Sequence, residues 1–159
     1  MSSSSNAPSS IAVKEREMRV AVVRTLWNSH ITGPLCDGAM DVFKQYGIEA
    51  DTFEVPGAIE LTFAASHLIE TGSYNAIVVL GCVIRGGTPH FDYVCQSVTQ
   101  GVTNLNAESD TPVIFGVLTV DNEQQALDRI GGKDGHKGRE AAEAAILMYD
   151  FIDKANNIA

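Results

Sequence analysis

The stretch Ala76-Ile77-Val78-Val79-Leu80-Gly81-Cys82-Val83-Ile84-Arg85-Gly86-Gly87-Thr88-Pro89-His90-Phe91 decides the fold. Its first part, Ala76 to Ile84, carries no charge and is rich in β-branched residues, the composition of a strand buried on both faces. Its second part is a glycine-rich turn. Beyond it Phe91, Val94, Cys95, Val98, Val102 and Leu105 recur at helical spacing. A buried strand feeding a one-sided helix is half of a βαβ unit, and strands joined through helices run parallel.

The same alternation extends in both directions. Upstream, Arg19-Val20-Ala21-Val22-Val23 is another β-branched run. After a polar loop, Leu35, Ala39, Val42, Phe43 and Tyr46 form a helical stripe that Gly47 ends. Glu49 to Val55 reads as a strand stopped by Pro56-Gly57, and Leu61, Ala64, Ala65 and Leu68 mark the inner face of the next helix. Downstream, Pro112 to Val120 supplies a fourth strand and Asn122 to Ile130 a short helix. A closing helix over 137–155 sets Ala141, Ala144, Ala145, Met148 and Phe151 on one face. This order predicts an α/β protein: a three-layer α/β/α sandwich of flavodoxin-like type around a central four-stranded, mostly parallel sheet.

Composition sets the bounds. The chain has 159 residues, 45% hydrophobic and 19% charged, as expected of one compact domain. Residues 1–12, rich in serine at their start, read as a flexible N-terminal tail ahead of a single domain over 13–159. Eleven Lys and Arg against twenty Asp and Glu give a formal charge of −9. That balance argues against nucleic acid and anionic membrane as partners, because both reward clustered positive charge. An anionic ligand must then be held by a local group of donors. The three cysteines show no C-x-x-C spacing and the histidines no metal-ligand spacing, so neither a disulfide framework nor a metal site is expected. No apolar run approaches the roughly 20 residues of a membrane span, and a cytoplasmic location is expected.

In folds of this class ligands sit beyond the carboxyl ends of the strands. The unusual residues gather there. Gly86-Gly87-Thr88 fits either an anion-binding helix start or an ordinary strand-to-helix turn. His90 has the side chain best suited to moving protons at neutral pH, and equally suits a cap position. Trp27, the sole tryptophan, either stacks on a planar ring or packs half-buried. Glu60 suits the first turn of its helix on electrostatic grounds alone, and a carboxylate there also accepts hydrogen bonds from ligand hydroxyls. Arg129 offers a planar fork to a phosphate, in a segment whose lysines read as solvated. His30, His67 and His136 read as structural, and Cys82 and Cys95 as core.

Five segments together resemble the signatures of lumazine synthases, in order and spacing: Val55-Pro56-Gly57-Ala58-Ile59-Glu60, Gly81 to Phe91, Pro112 to Thr119, Gln125-Ala126-Leu127-Asp128-Arg129, and Lys137-Gly138-Arg139-Glu140-Ala141-Ala142. The resemblance covers about residues 18–150. It implies a synthase that joins a ribitylaminouracil to a butanone phosphate with loss of phosphate and water, without cofactor or metal. It further implies a homopentamer with its sites between subunits, and relatives also build hollow shells. On this resemblance Trp27 matches the aromatic position that stacks on the pyrimidine, where many relatives carry phenylalanine. Ala58, Ile59 and Glu60 match the ribityl-binding segment, and Cys82, Val83 and Ile84 the strand end at the uracil. Gly87 and Thr88 match the phosphate-binding amides, with Arg129 as their charged partner. Phe115 and Arg129 would come from the adjacent chain, His90 matches the proton carrier, and Glu140 an acidic position near it. The alternative is a non-catalytic flavin- or lumazine-binding protein, or a shell-forming one, on the same scaffold.

Overall fold

A computed structural model describes residues 11–158. The first ten residues of the expected tail lie outside the described residues, while Ile11 is buried against the core. Four strands, β1 (Arg19–Thr25), β2 (Glu49–Val55), β3 (Ala76–Ile84) and β4 (Val113–Val120), pair in the order β2-β1-β3-β4. Every pairing is parallel. The central strands are the most apolar ones: Val20 to Val23 and Ala76 to Leu80 are fully buried. Helices α1 (Ser29–Gln45) and α5 (Lys137–Asn156) cover one face, with Leu35, Phe43, Ala145 and Ile146 against Val20, Val22 and Val78. Helices α2 (Ala58–Glu70) and α3 (His90–Glu108) cover the other, with Leu61, Ala65, Val94, Val98 and Val102 against Val23, Ile77 and Val79. This is the three-layer, flavodoxin-like sandwich that the strand and helix patterns predict.

Strand order locates the site. The chain leaves β1 toward β2 on one side and later places β3 on β1's other side, so the connections diverge between the ends of β1 and β3. At such a switch point neighbouring connections leave a crevice.

Four local readings are corrected by the structure. Helix α1 begins at Ser29, inside the stretch read as a polar loop, and carries Pro34 within it. Proline costs that helix a backbone hydrogen bond, but the burial of Ile31 and Leu35 and the bond from Thr32 Oγ1 to the Thr25 carbonyl hold the early turns. Helix α4 spans only Glu123–Leu127, and Ile130 joins a small antiparallel hairpin, β5 (Ile130–Gly132) with β6 (Gly135–His136). Gly131 and Gly135 have φ of 101° and 87°, which turns the chain back where a helix would have run on. On α5 the buried face is Gly138, Ala141, Ala142, Ala145 and Ile146. Met148 and Phe151 are exposed instead, so the predicted stripe is rotated from the true one. Cys95 is only half-buried, whereas Cys82 is core.

Candidate active site

The ends of β1, β2 and β3 and the start of α3 enclose a cleft of about 330 Å³, lined by Thr25, Trp27, Gly57 to Glu60, Cys82 to Ile84 and His90. It is the crevice that the strand order sets up. Trp27 follows β1 in a turn that continues the pairing with β2: Leu26 N–H donates to the Val55 carbonyl and Trp27 N–H to the Pro56 carbonyl. The indole remains 68% exposed. Glu60, half-buried, accepts the Gly57 N–H at 3.0 Å, which fixes the first turn of α2 and leaves its second oxygen without a hydrogen-bond partner among the described residues. Ala58 is buried beneath that turn and Ile59 points outward.

Cys82, Val83 and Ile84 form the floor. Burial, with a smaller contribution from Glu123, pushes the Cys82 thiol up to about 11, so it is an un-ionised wall and not a nucleophile at neutral pH. Beyond the floor, Gly86 and Gly87 have no neighbouring atoms where a side chain would stand, so their backbone is open to a ligand. Thr88 Oγ1 accepts weakly from the His90 N–H at 3.4 Å. Arg85 brackets this loop: its guanidinium lies 4.4 Å from the centre of the Phe91 ring and pairs with Asp121 at 2.8 Å and Asp92 at 3.6 Å. Two carboxylates thus answer its charge, and it offers no free cation to the cleft.

Trp27, Ala58, Ile59, Glu60, Cys82, Val83, Ile84 and His90 are brought together, and Gly87 and Thr88 lie just outside on the loop before α3. Phe115 and Arg129 do not line this cleft. Phe115 packs half-buried from β4 against the core face that α2 and α3 cover. Arg129 follows α4 and donates to Glu140 Oε1 at 3.1 Å, with both side chains largely buried. Within one chain Glu140 therefore partners the arginine. The remaining histidines have structural places: His30 pairs with Glu123, His67 stacks on Phe63, and His136 caps α5 through the Arg139 N–H.

Two cleft residues, Asn28 and Gly57, have no site role in the sequence patterns, where Gly57 only helps to stop β2. Asn28 sits in the left-handed region at φ 60°, the one non-glycine with positive φ among the described residues, and its Nδ2 donates to the Cys82 carbonyl at 2.9 Å. It ties the end of β1 to the end of β3 across the crevice. The available signal was an asparagine, a residue type that tolerates this conformation, just before a helix.

Residues 17–153 match the family described as 6,7-dimethyl-8-ribityllumazine synthase. The chain is 49% identical over 140 residues to a 6,7-dimethyl-8-ribityllumazine synthase of Phocaeicola vulgatus, covering 86% of this chain and 83% of that one. Similar proteins of the same description occur in Bacteroides fragilis, 49% identical over 87% of this chain and 99% of that one. Another, in Parabacteroides distasonis, is 50% identical over 85% of this chain and 86% of that one.

Proposed function

Because this chain belongs to the 6,7-dimethyl-8-ribityllumazine synthase family, we propose that the cleft at the ends of β1 and β3 is the heterocycle half of its active site. The chain is a transferase of riboflavin biosynthesis, condensing 5-amino-6-(D-ribitylamino)uracil with 3,4-dihydroxy-2-butanone 4-phosphate to 6,7-dimethyl-8-ribityllumazine, with release of phosphate and water. The observation that carries the site reading is the convergence of an exposed indole, a carboxylate with a free oxygen, an uncharged strand end and a histidine on one crevice.

In this reading Trp27 stacks on the pyrimidine, Glu60 and the Ala58-Ile59 turn take the ribityl hydroxyls, and Cys82, Val83 and Ile84 flank the uracil. Gly87 and Thr88 present backbone and hydroxyl donors to the phosphate. Among the described residues no lysine or arginine lines the cleft, so in this reading the phosphate charge is met by Arg129 of a neighbouring subunit, which also brings Phe115 to close the site. The assembly is a homopentamer with its sites between subunits, in the cytoplasm. Holding two reactants in register removes up to roughly 7–11 kcal/mol of barrier in ideal cases. His90 takes a proton from the attacking amine and returns it as water and phosphate leave.

The test is turnover, followed as lumazine absorbance against the slow spontaneous condensation. A rate proportional to enzyme establishes the reading. Lumazine binding without acceleration would mean a binding protein on this scaffold.

A further inference from the structure

Gly57 is buried where β2 passes into α2, and its backbone is extended, with φ −142° and ψ −177°. Any residue adopts that conformation, so backbone freedom does not explain the glycine. Space does. A Cβ at this position would stand 2.5 Å from Cε3 and 2.7 Å from Cζ3 of Trp27, well inside van der Waals contact, with Glu60 Oε1 next at 3.4 Å. The six-membered ring of the indole occupies the volume that any other residue would claim.

Trp27 is also held from its own backbone. Its N–H donates to the Pro56 carbonyl at 3.0 Å, and its carbonyl accepts from Thr25 Oγ1 at 3.2 Å. The next residue, Asn28, is locked in the left-handed region and anchored to the Cys82 carbonyl. With the main chain pinned, the side chain alone must yield to a new Cβ. Yet most of the indole faces the cleft, so its support comes from one side only.

We propose that Gly57 is a positioning residue: by withholding a Cβ it seats the Trp27 indole so that the free part of the ring meets a planar bicyclic heterocycle. The proposal rests on the reading of Trp27 as the stacking residue. Stacking depends on ring offset and tilt, so a displaced indole loses the ligand although every polar group of the cleft remains.

Trp27 is the sole tryptophan, so its emission reports the seat directly. The experiment compares the full chain with Gly57→Ala, Trp27→Phe and the double variant. It records Trp27 emission and anisotropy without ligand, calorimetric titration with 6,7-dimethyl-8-ribityllumazine, and KM for each substrate. Gly57→Ala is expected to keep its far-UV circular dichroism, shift the emission and lower the anisotropy. It weakens lumazine binding by roughly ten- to a hundredfold, as overpacking at a rigid site does. KM rises for the ribitylaminouracil and not for the ketose phosphate. In the Trp27→Phe background, where the ring lacks the outer atoms of the indole, the same alanine costs only a few-fold.

Unchanged emission and affinity in Gly57→Ala, or an equal cost in both backgrounds, would overturn the proposal. Should Gly57→Ala fail to fold, the double variant must fold, because the clash is with the indole; failure of both also overturns it. The stacking reading fails separately, if lumazine does not quench the wild-type emission. In that case the ligand-free emission shift still decides whether Gly57 seats the ring.

Discussion

At the ends of β1 and β3 the cleft is open and nearly uncharged, whereas the segment from Asp128 to Glu140 is compact and dense in charge. In the cleft an indole stands two-thirds exposed, a thiol is kept neutral by burial, and one Glu60 oxygen is committed to a backbone N–H. In the charged segment Arg129 and Glu140 pair in a largely buried position, Lys133 lies near Asp128, and burial pushes the Lys137 ammonium down. A stacking surface needs shape and one free face, so it can wait open to solvent. A phosphate-binding guanidinium that is largely buried needs a carboxylate, because an unpaired buried charge is costly. The Arg129 Nε and Glu140 Oε2 atoms are both buried without hydrogen-bond partners among the described residues, so this pair is not closed on itself. In the proposed reading, two kinds of recognition are kept in two parts of one chain.

The largest expected effect comes from breaking the charged part. Arg129→Ala should lower kcat/KM for the ketose phosphate by about 10²- to 10³-fold, the range for removing a group that stabilises developing charge, while ribitylaminouracil binding stays within a few-fold. Steady-state kinetics with each substrate varied would show it. An unchanged kcat/KM for the ketose phosphate would detach Arg129 from the site. On the cleft side, His90→Ala should lower kcat by about a hundredfold, the low end of acid–base catalysis, with little change in lumazine affinity. Full turnover at every pH would remove His90 as proton carrier.

The neutral character of the cleft floor has its own signature. The Cys82 thiol holds its proton in the folded chain up to about 11, while the unfolded thiol ionises near its ordinary value of 9.0. Between those values the unfolded state binds fewer protons, so stability falls as pH rises. The loss is on the order of 2 kcal/mol by pH 11, and Cys82→Ala should flatten that part of the slope. Urea unfolding on both sides of the window would measure it, and identical slopes would contradict the burial argument. The smallest effect tests the join between the two regions. If the sites lie between subunits as proposed, Arg129→Ala and His90→Ala chains, co-expressed, should regain roughly a quarter of wild-type activity, because in a ring with head-to-tail contacts that fraction of interfaces has one intact half from each chain. No recovery would place both halves of the site in the same subunit.

Much of this was legible in the residues. Val20 to Val23 and Ala76 to Ile84 announce strands buried on both faces, and Leu61, Ala65, Val94, Val98 and Val102 announce the helices packed on them. The errors fall where local signals compete. The stretch before Leu35 reads as a polar loop, but burial of Ile31 and Leu35 carries the helix back to Ser29 and through Pro34 at the cost of one hydrogen bond. On α5, small and apolar residues occupy adjacent faces, so periodicity left the buried one ambiguous. In the site, the motifs point to the residues that line the cleft but give no reason for Asn28 or for Gly57 beyond its turn, because their importance lies in what they touch.

The sequence by itself determined the four central strands and the helices that connect them, because side-chain period is written locally, and it placed the chemically unusual residues at strand ends. Only the tertiary structure decided the order β2-β1-β3-β4, which puts the crevice between β1 and β3. Only it showed that Trp27 rests on Gly57, that Asn28 ties two strands, and that Arg129 faces Glu140 and stays out of the cleft. These contacts join residues from different elements. They depend on which strands pair and which faces pack, and those are settled by the free energy of the whole chain and not by any one segment.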